Sequence, residues 1–138
     1  MLDKDNTNPG YLCGRLFAVL DKIQEEANKS NTTDDRIAES TKLDKRQEDA
    51  NKSNSIRARY MNSASSTPSV VFPTILNLSS HHAEKLSEGS KIFYEKIKQE
   101  IISKLSSDGF PAHLNLQDQG RFFVGYYHQR QDFFTKAE

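Results

Sequence analysis

Leu12, Leu16, Val19, Leu20, Ile23 and Ala27 recur at three- and four-residue spacing, which lays them along one side of an α-helix. Cys13 and Phe17 border that stripe. Asn8-Pro9-Gly10 stands just ahead of it and supplies a helix start, because proline tolerates the first helical position, where its missing N–H costs nothing. Nowhere does the chain sustain the alternation that a half-buried strand requires. The pattern therefore predicts an all-α fold, a compact helical bundle of about four to five helices with a polar inserted segment. At 138 residues the chain suits a single domain over 1–138, with one hydrophobic core and no room for a second.

The polar insertion announces itself as a repeat. LDKIQEEANKSN at 20–31 returns as LDKRQEDANKSN at 43–54, with two of twelve positions changed, so tandem duplication explains it better than chance. Ile23 becomes Arg46 in the second copy, and the intervening TTDDRIAESTK is almost devoid of apolar residues. A solenoid needs an apolar face in every repeat. Residues 32–54 are therefore expected to form a duplicated polar insertion on the surface, a polar helix or loop without chemistry of its own.

Beyond the insertion, SIRARYM reads as a short helix and Asn62–Thr67 as a turn. Thr67-Pro68 then opens a helix on which Val71, Ile75, Leu78, His82 and Leu86 share a face, with Pro73 close enough to its start to be tolerated. Past Ser87–Ser90 a third long helix turns Phe93, Tyr94, Ile97, Ile101 and Leu105 inward and Lys91, Glu95 and Lys98 outward, and Asp108-Gly109-Phe110-Pro111 ends it. The last helix begins near Asn115, with Asp118 completing a partial capping box, and reaches about Phe134. Its doublets Phe122-Phe123, Tyr126-Tyr127 and Phe133-Phe134 form one broad aromatic face that suits docking into a core. Gly120 and Gly125 are expected to let a neighbouring element approach closely, since glycine otherwise weakens a helix.

The charge count excludes a strongly basic protein: 19 basic side chains balance 19 acidic ones, so any affinity for nucleic acid has to come from segregated patches. Candidate phosphate contacts are Arg15, Lys22 and Lys29, spaced by seven along the first helix, Arg57 and Arg59 on the short helix, and Lys85, Lys91 and Lys98 around the junction before the third long helix. Arg130 is a further candidate, projecting from the aromatic face, where it has to stack, reach solvent or meet an acceptor. For each of these cations the plain alternative is a solvated surface charge, and for Arg130 a structural partner. His82, inside an apolar stripe, reads as a satisfied core or interface histidine.

Catalytic signatures are missing. The chain has no nucleophile elbow, no glycine-rich phosphate loop and no paired-carboxylate constellation. Cys13 sits on the flank of a core stripe, which discounts a thiol paired with His113 or His128. His81 and His82 are adjacent and point apart on a helix, so no metal site is expected and no cofactor. One cysteine permits no intrachain disulfide, no charged-then-apolar leader opens the chain and no apolar run is long enough to span a bilayer. A non-enzymatic protein of the reducing cytoplasm is the expectation.

Three runs together, NPGYLCGRLFAVLDKIQEEAN, SIRARYMNSASSTPSVVFPTILNLSSHHAEKL and FPAHLNLQDQGRFFVGYYHQRQDFF, resemble the C-terminal part of the large subunit of type I-C CRISPR interference (Cascade) complexes, the Csd1-type family. The resemblance spans nearly the whole chain apart from the repeat, and GRFFVGYYHQRQDFF is long enough to be specific. In that family the segment is also made as a free small subunit from an internal start, and Met1 fits that product. The resemblance implies a small helical subunit that packs on the guide-RNA-bound backbone subunits and the large subunit, beside the guide RNA–target DNA hybrid and another copy of itself. It also implies contact with the displaced single-stranded DNA of the R-loop, in antiviral defence. Guide pairing supplies the sequence specificity there and protein contacts the backbone, while a recruited nuclease-helicase destroys the target. Recognition of the motif flanking the target belongs to the large subunit's N-terminal part and does not carry over. The alternatives are a purely architectural spacer in the same complex, and a generic helical adaptor or metalloenzyme outside it.

Overall fold

A computed structural model describes residues 2–35, 56–105 and 109–135, with side chains at 2–27, 56, 59–105 and 109–133. Five helices follow in order: α1 (Pro9–Asp35), α2 (Ile56–Ser66), α3 (Pro68–Ala83), α4 (Glu88–Lys104) and α5 (Leu116–Thr135). Among the described residues there is no strand, and the bundle is all-α as its periodicities require. Most of the duplicated insertion, residues 36–54, lies outside the described residues.

The helix starts follow their capping residues. Asn8 Oδ1 accepts from the backbone N–H groups of Gly10 and Tyr11 at 2.9 and 3.2 Å, satisfying donors that the first turn of α1 leaves orphaned. Asn115 Oδ1 does the same for Asp118 at 2.8 Å, and Ser87 Oγ for Ser90 at 3.3 Å. Asn8 Nδ2 also donates to Asp118 Oδ1 at 3.4 Å, which ties the starts of α1 and α5 together. Gly109, at φ 86°, takes the left-handed turn after α4 that other residues resist. One expectation fails here: the small polar run after Met61 does not turn but continues α2 to Ser66. Ser65 and Ser66 each donate from Oγ to the Asn62 carbonyl, so their hydroxyls find acceptors inside the helix instead of competing with it.

The central element is α1, which packs against each of the other four helices. Every residue from Gly10 to Asp21 is buried. A helix that is apolar on all sides belongs in the middle of a core, and Tyr11–Leu20 carries one charge, Arg15. Phe17 holds the centre, with its ring 5.7 Å from Phe122, 5.8 Å from Tyr126 and 6.5 Å from Phe72. Ile56, Ala64, Val71, Ile75, Leu86, Tyr94, Ile101 and Leu114 close the core from the remaining elements.

The tightest contact joins α1 to α5, which run in the same direction. A Cβ at Gly10 would meet the carbonyl oxygen of Asp118, one at Gly14 that of Phe122, and one at Gly125 that of Tyr11. Gly10 and Gly14, four residues apart on one face of α1, and Gly125 opposite them bring backbone against backbone. Gly125 thus acts as its position in an aromatic helix suggests, but Gly120 does not, since nothing lies within 4 Å of a Cβ there. The aromatic face is narrower than the doublets imply. Phe122 and Tyr126 are wholly buried, while Phe123 and Phe133 are half-buried and Tyr127 is 60% exposed. Adjacent helical residues point about 100° apart, so Phe122 and Tyr126 enter the core fully while Phe123 packs at its edge and Tyr127 faces outward.

Candidate nucleic-acid interface

Along α1 the expected ridge of cations is absorbed into the fold. Arg15 is 0% exposed, because its side chain is turned toward α4 and α5. Its Nε donates to Gln129 Oε1 at 2.9 Å, and Nη2 stands 3.6 Å from Glu100 Oε1. Nη1 is buried without a hydrogen-bond partner among the described residues. The assignment of Arg15 to a phosphate-facing surface is therefore corrected: a charge sealed from solvent has no phosphate to meet. Lys22 pairs with Glu25 at 3.7 Å and Glu26 at 3.5 Å. The side chains of Lys29 and Arg57 lie outside the described residues.

Arg130 finds its acceptors on α1. Its Nη1 lies 3.0 Å from Asp21 Oδ2 and 3.2 Å from Glu25 Oε2, and its guanidinium carbon is 5.8 Å from the centre of the Tyr126 ring. Asp21 is nearly buried and accepts the Tyr126 hydroxyl proton as well, at 2.9 Å. Burial works against the Arg130 charge, but Tyr126, Glu25 and Asp21 outweigh it and raise the pKa. Close by, burial first and then Glu26 and Glu25 push the Tyr94 hydroxyl up to about 12. The acidic side chains around α1 neutralise Lys22 and Arg130 and repel phosphate, so Arg130 serves the fold.

A different surface emerges where α3 hands over to α4. Ala83, Lys91, Ile92, Glu95, Lys96 and Gln99 line an open groove of about 520 Å3, within the usual range of ligand clefts of about 300–1,000 Å3. Lys85 occupies the turn two residues after Ala83 and is exposed, as is Lys96, while Lys91 is half-buried. Among the described residues, no ion pair joins Lys85, Lys91 or Lys96 to a carboxylate. Ile92 is 52% and Phe93 37% exposed, so Phe93 faces outward more than its place in the stripe suggests. Lys98, expected to face out, is largely covered and pairs with Glu95 at 3.1 Å. That pairing also neutralises the one carboxylate of the groove, and Gln99 donates to Glu95 at 2.9 Å; the Gln99 hydrogen bond leads in holding the Glu95 pKa below its usual value. Arg59 is exposed on α2 next to the Tyr60 ring.

The groove thus brings Lys91 together with a residue that the spacing of charges does not single out, Lys96, with Lys85 exposed in the turn before α4. Lys96 falls outside the seven-residue rows of cations, and the signal for it was Ile92, an apolar residue on the polar side of α4 between cationic neighbours. His82 is half-buried and within 3.4 Å of Gln24 Nε2; its pKa is lowered by burial first, then by Lys85 and His81. Burial pushes the Cys13 thiol up to about 12. Among the described residues, no three His, Cys, Asp or Glu side chains gather as a metal would need, and no helix is long and apolar enough to cross a membrane.

An all-α bundle with a small cationic groove defines a class with many uses, and comparison with known families narrows it. The family model described as CRISPR-associated protein (Cas_Csd1) matches residues 1–134, and the chain belongs to that family. No curated protein matches it.

Proposed function

We propose that this chain is a non-catalytic small subunit of a type I-C CRISPR surveillance complex, and that its α3–α4 junction contacts the displaced non-target strand and stabilises the R-loop. The observation that carries the reading is the groove itself: among the described residues, Lys91 and Lys96 line it with Ile92 and Ala83, Lys85 is exposed in the turn that follows Ala83, and none of the three is paired with a carboxylate, on a protein whose other described cations are mostly paired. Lysines that track phosphates bind single strands without reading sequence, which suits a complex whose specificity comes from guide pairing. Destruction of the target is left, in this reading, to a recruited nuclease-helicase. Guide-RNA-bound backbone subunits, the large subunit and a second copy of the chain are the proposed neighbours, in the cytoplasm.

Strand opening by a complex reconstituted with Lys85, Lys91 and Lys96 replaced by Ala tests this. Opening should weaken and its salt dependence flatten, with guide preference unchanged. A second reading, an architectural spacer without direct contact to DNA, is favoured by the pairing of Arg15, Lys22, Lys98 and Arg130 with carboxylates. Unchanged opening at every salt concentration would select it.

A further inference from the structure

We infer that Tyr11 and His128 form a proton-sensitive latch that holds the N-terminal segment, residues 2–8, against the bundle. The backbone N–H of Asp3 donates to the Tyr11 hydroxyl at 2.9 Å, and the same hydroxyl lies 3.0 Å from Nδ1 of His128. The two rings meet edge to face, with centroids 5.9 Å apart at 70°, so the pair is held by packing as well as by the bond. The segment is otherwise tied mainly to itself: Asp5 N–H donates to Asp3 Oδ1, Asn6 N–H to the Asp3 carbonyl and Asn8 N–H to Asn6 Oδ1. Tyr11 and the Lys104 ammonium, which donates to the Lys4 carbonyl, are its fastenings to the helices before Asn8.

The Tyr11 hydroxyl has one proton to give. It accepts from Asp3 N–H, so the arrangement that satisfies every donor sends its proton to a bare Nδ1 on a neutral His128. Protonating the ring puts a hydrogen on Nδ1. The phenol oxygen then faces two donors and its own proton loses its acceptor, which weakens the hold on Asp3. The charge facing His128 among the described residues is Asp3, which favours the protonated ring; Tyr11 is the titratable group from α1, and Asp132 stands one turn further along α5. Burial is the leading influence and lowers the His128 pKa. Release of the segment would leave Lys104 to its pair with Glu100 and widen the cleft in which Thr7, Pro9 and Leu12 face Leu105 and Phe110.

Hydrogen exchange at the Asp3 amide, corrected for its intrinsic pH dependence, tests the latch against an NMR titration of His128 in the same chain. Protection should fall by about tenfold, the equivalent of losing one net hydrogen bond, with the midpoint of the ring's own titration. His128→Asn puts an amide oxygen in reach of the Nδ1 position and should keep Asp3 protected with no pH step. Tyr11→Phe keeps the buried ring and should leave Asp3 unprotected at every pH, with the helical signal intact. Protection that ignores the His128 titration, or an unchanged pH step in His128→Asn, would overturn the proposal.

Discussion

Gly14 on α1 and Phe122 on α5 approach so closely that a Cβ at position 14 would strike the Phe122 carbonyl oxygen. The obstacle is backbone, which cannot rotate away as a side chain can, so Gly14→Ala has to push the two helices apart. The expected cost is that of overpacking, about 1–3 kcal/mol. Gly120→Ala is the control: open space surrounds that position, and alanine should stabilise the helix by up to about 1 kcal/mol. Thermal denaturation followed by circular dichroism should move the two melting temperatures in opposite directions.

The aromatic doublets make a similar pair. Phe122 is fully buried against Phe17, whereas Tyr127 is 60% exposed. Phe122→Ala should cost about 3–5 kcal/mol, enough to unfold much of a domain with a total stability of roughly 5–15 kcal/mol. Tyr127→Ala should change stability by no more than about 0.5 kcal/mol. Urea denaturation of both variants measures the difference.

Asp21 accepts from Tyr126 and Arg130 together. Asp21→Asn keeps the shape but removes the charge that faces the Arg130 guanidinium, and Glu25 remains as a partner at 3.2 Å. Loss of one charged hydrogen bond should cost about 1.5–3 kcal/mol. The double variant Asp21→Asn/Arg130→Met should cost less than the sum of the single changes, which a double-mutant cycle in urea reads directly.

Stability should also depend on pH through His82. Burial, Lys85 and His81 lower its folded pKa, so the unfolded chain binds the proton more readily. The contribution is therefore complete above the unfolded value of about 6.5 and is lost as the pH falls from there through the folded value. His82→Gln should flatten that part of the stability profile between about pH 5 and 7, measured as the urea midpoint at each pH.

Helix positions were legible because they rest on local signals: Asn8-Pro9, Ser87 and Asn115 each cap the helix that follows. What the order of residues concealed was the surroundings of α1. A stripe of six apolar residues suggests a helix with one dry face, and the run Tyr11–Leu20, apolar except for Arg15, carried the contrary signal. With α1 in the centre, Arg15 and Lys22 meet Glu100, Glu25 and Glu26 from neighbouring turns and helices, which a spacing of seven cannot foretell. Gly125 was legible as a point of close approach, but Gly10 and Gly14 took on that meaning only with Asp118 and Phe122 opposite them. Among the candidate cations, Lys85 and Lys91 lie at the helix junction that suggested them, without a carboxylate partner among the described residues. Lys96 joined them only once Ala83 and Ile92 were seen to share a groove.

Contact between the α3–α4 junction and DNA is the central claim, and binding of single-stranded DNA by the isolated chain across a salt series tests it most directly. The parent should bind more weakly as salt rises. Replacing Lys85, Lys91 and Lys96 together with Ala should lower affinity and reduce the slope of log affinity against log salt by about 0.7 for each phosphate that is no longer neutralised. Replacing the paired cation Lys22 with Ala should leave that slope as it is, because its charge already answers Glu25 and Glu26 away from the groove. Parent-like affinity and slope in the triple variant, with helicity retained, would contradict the account.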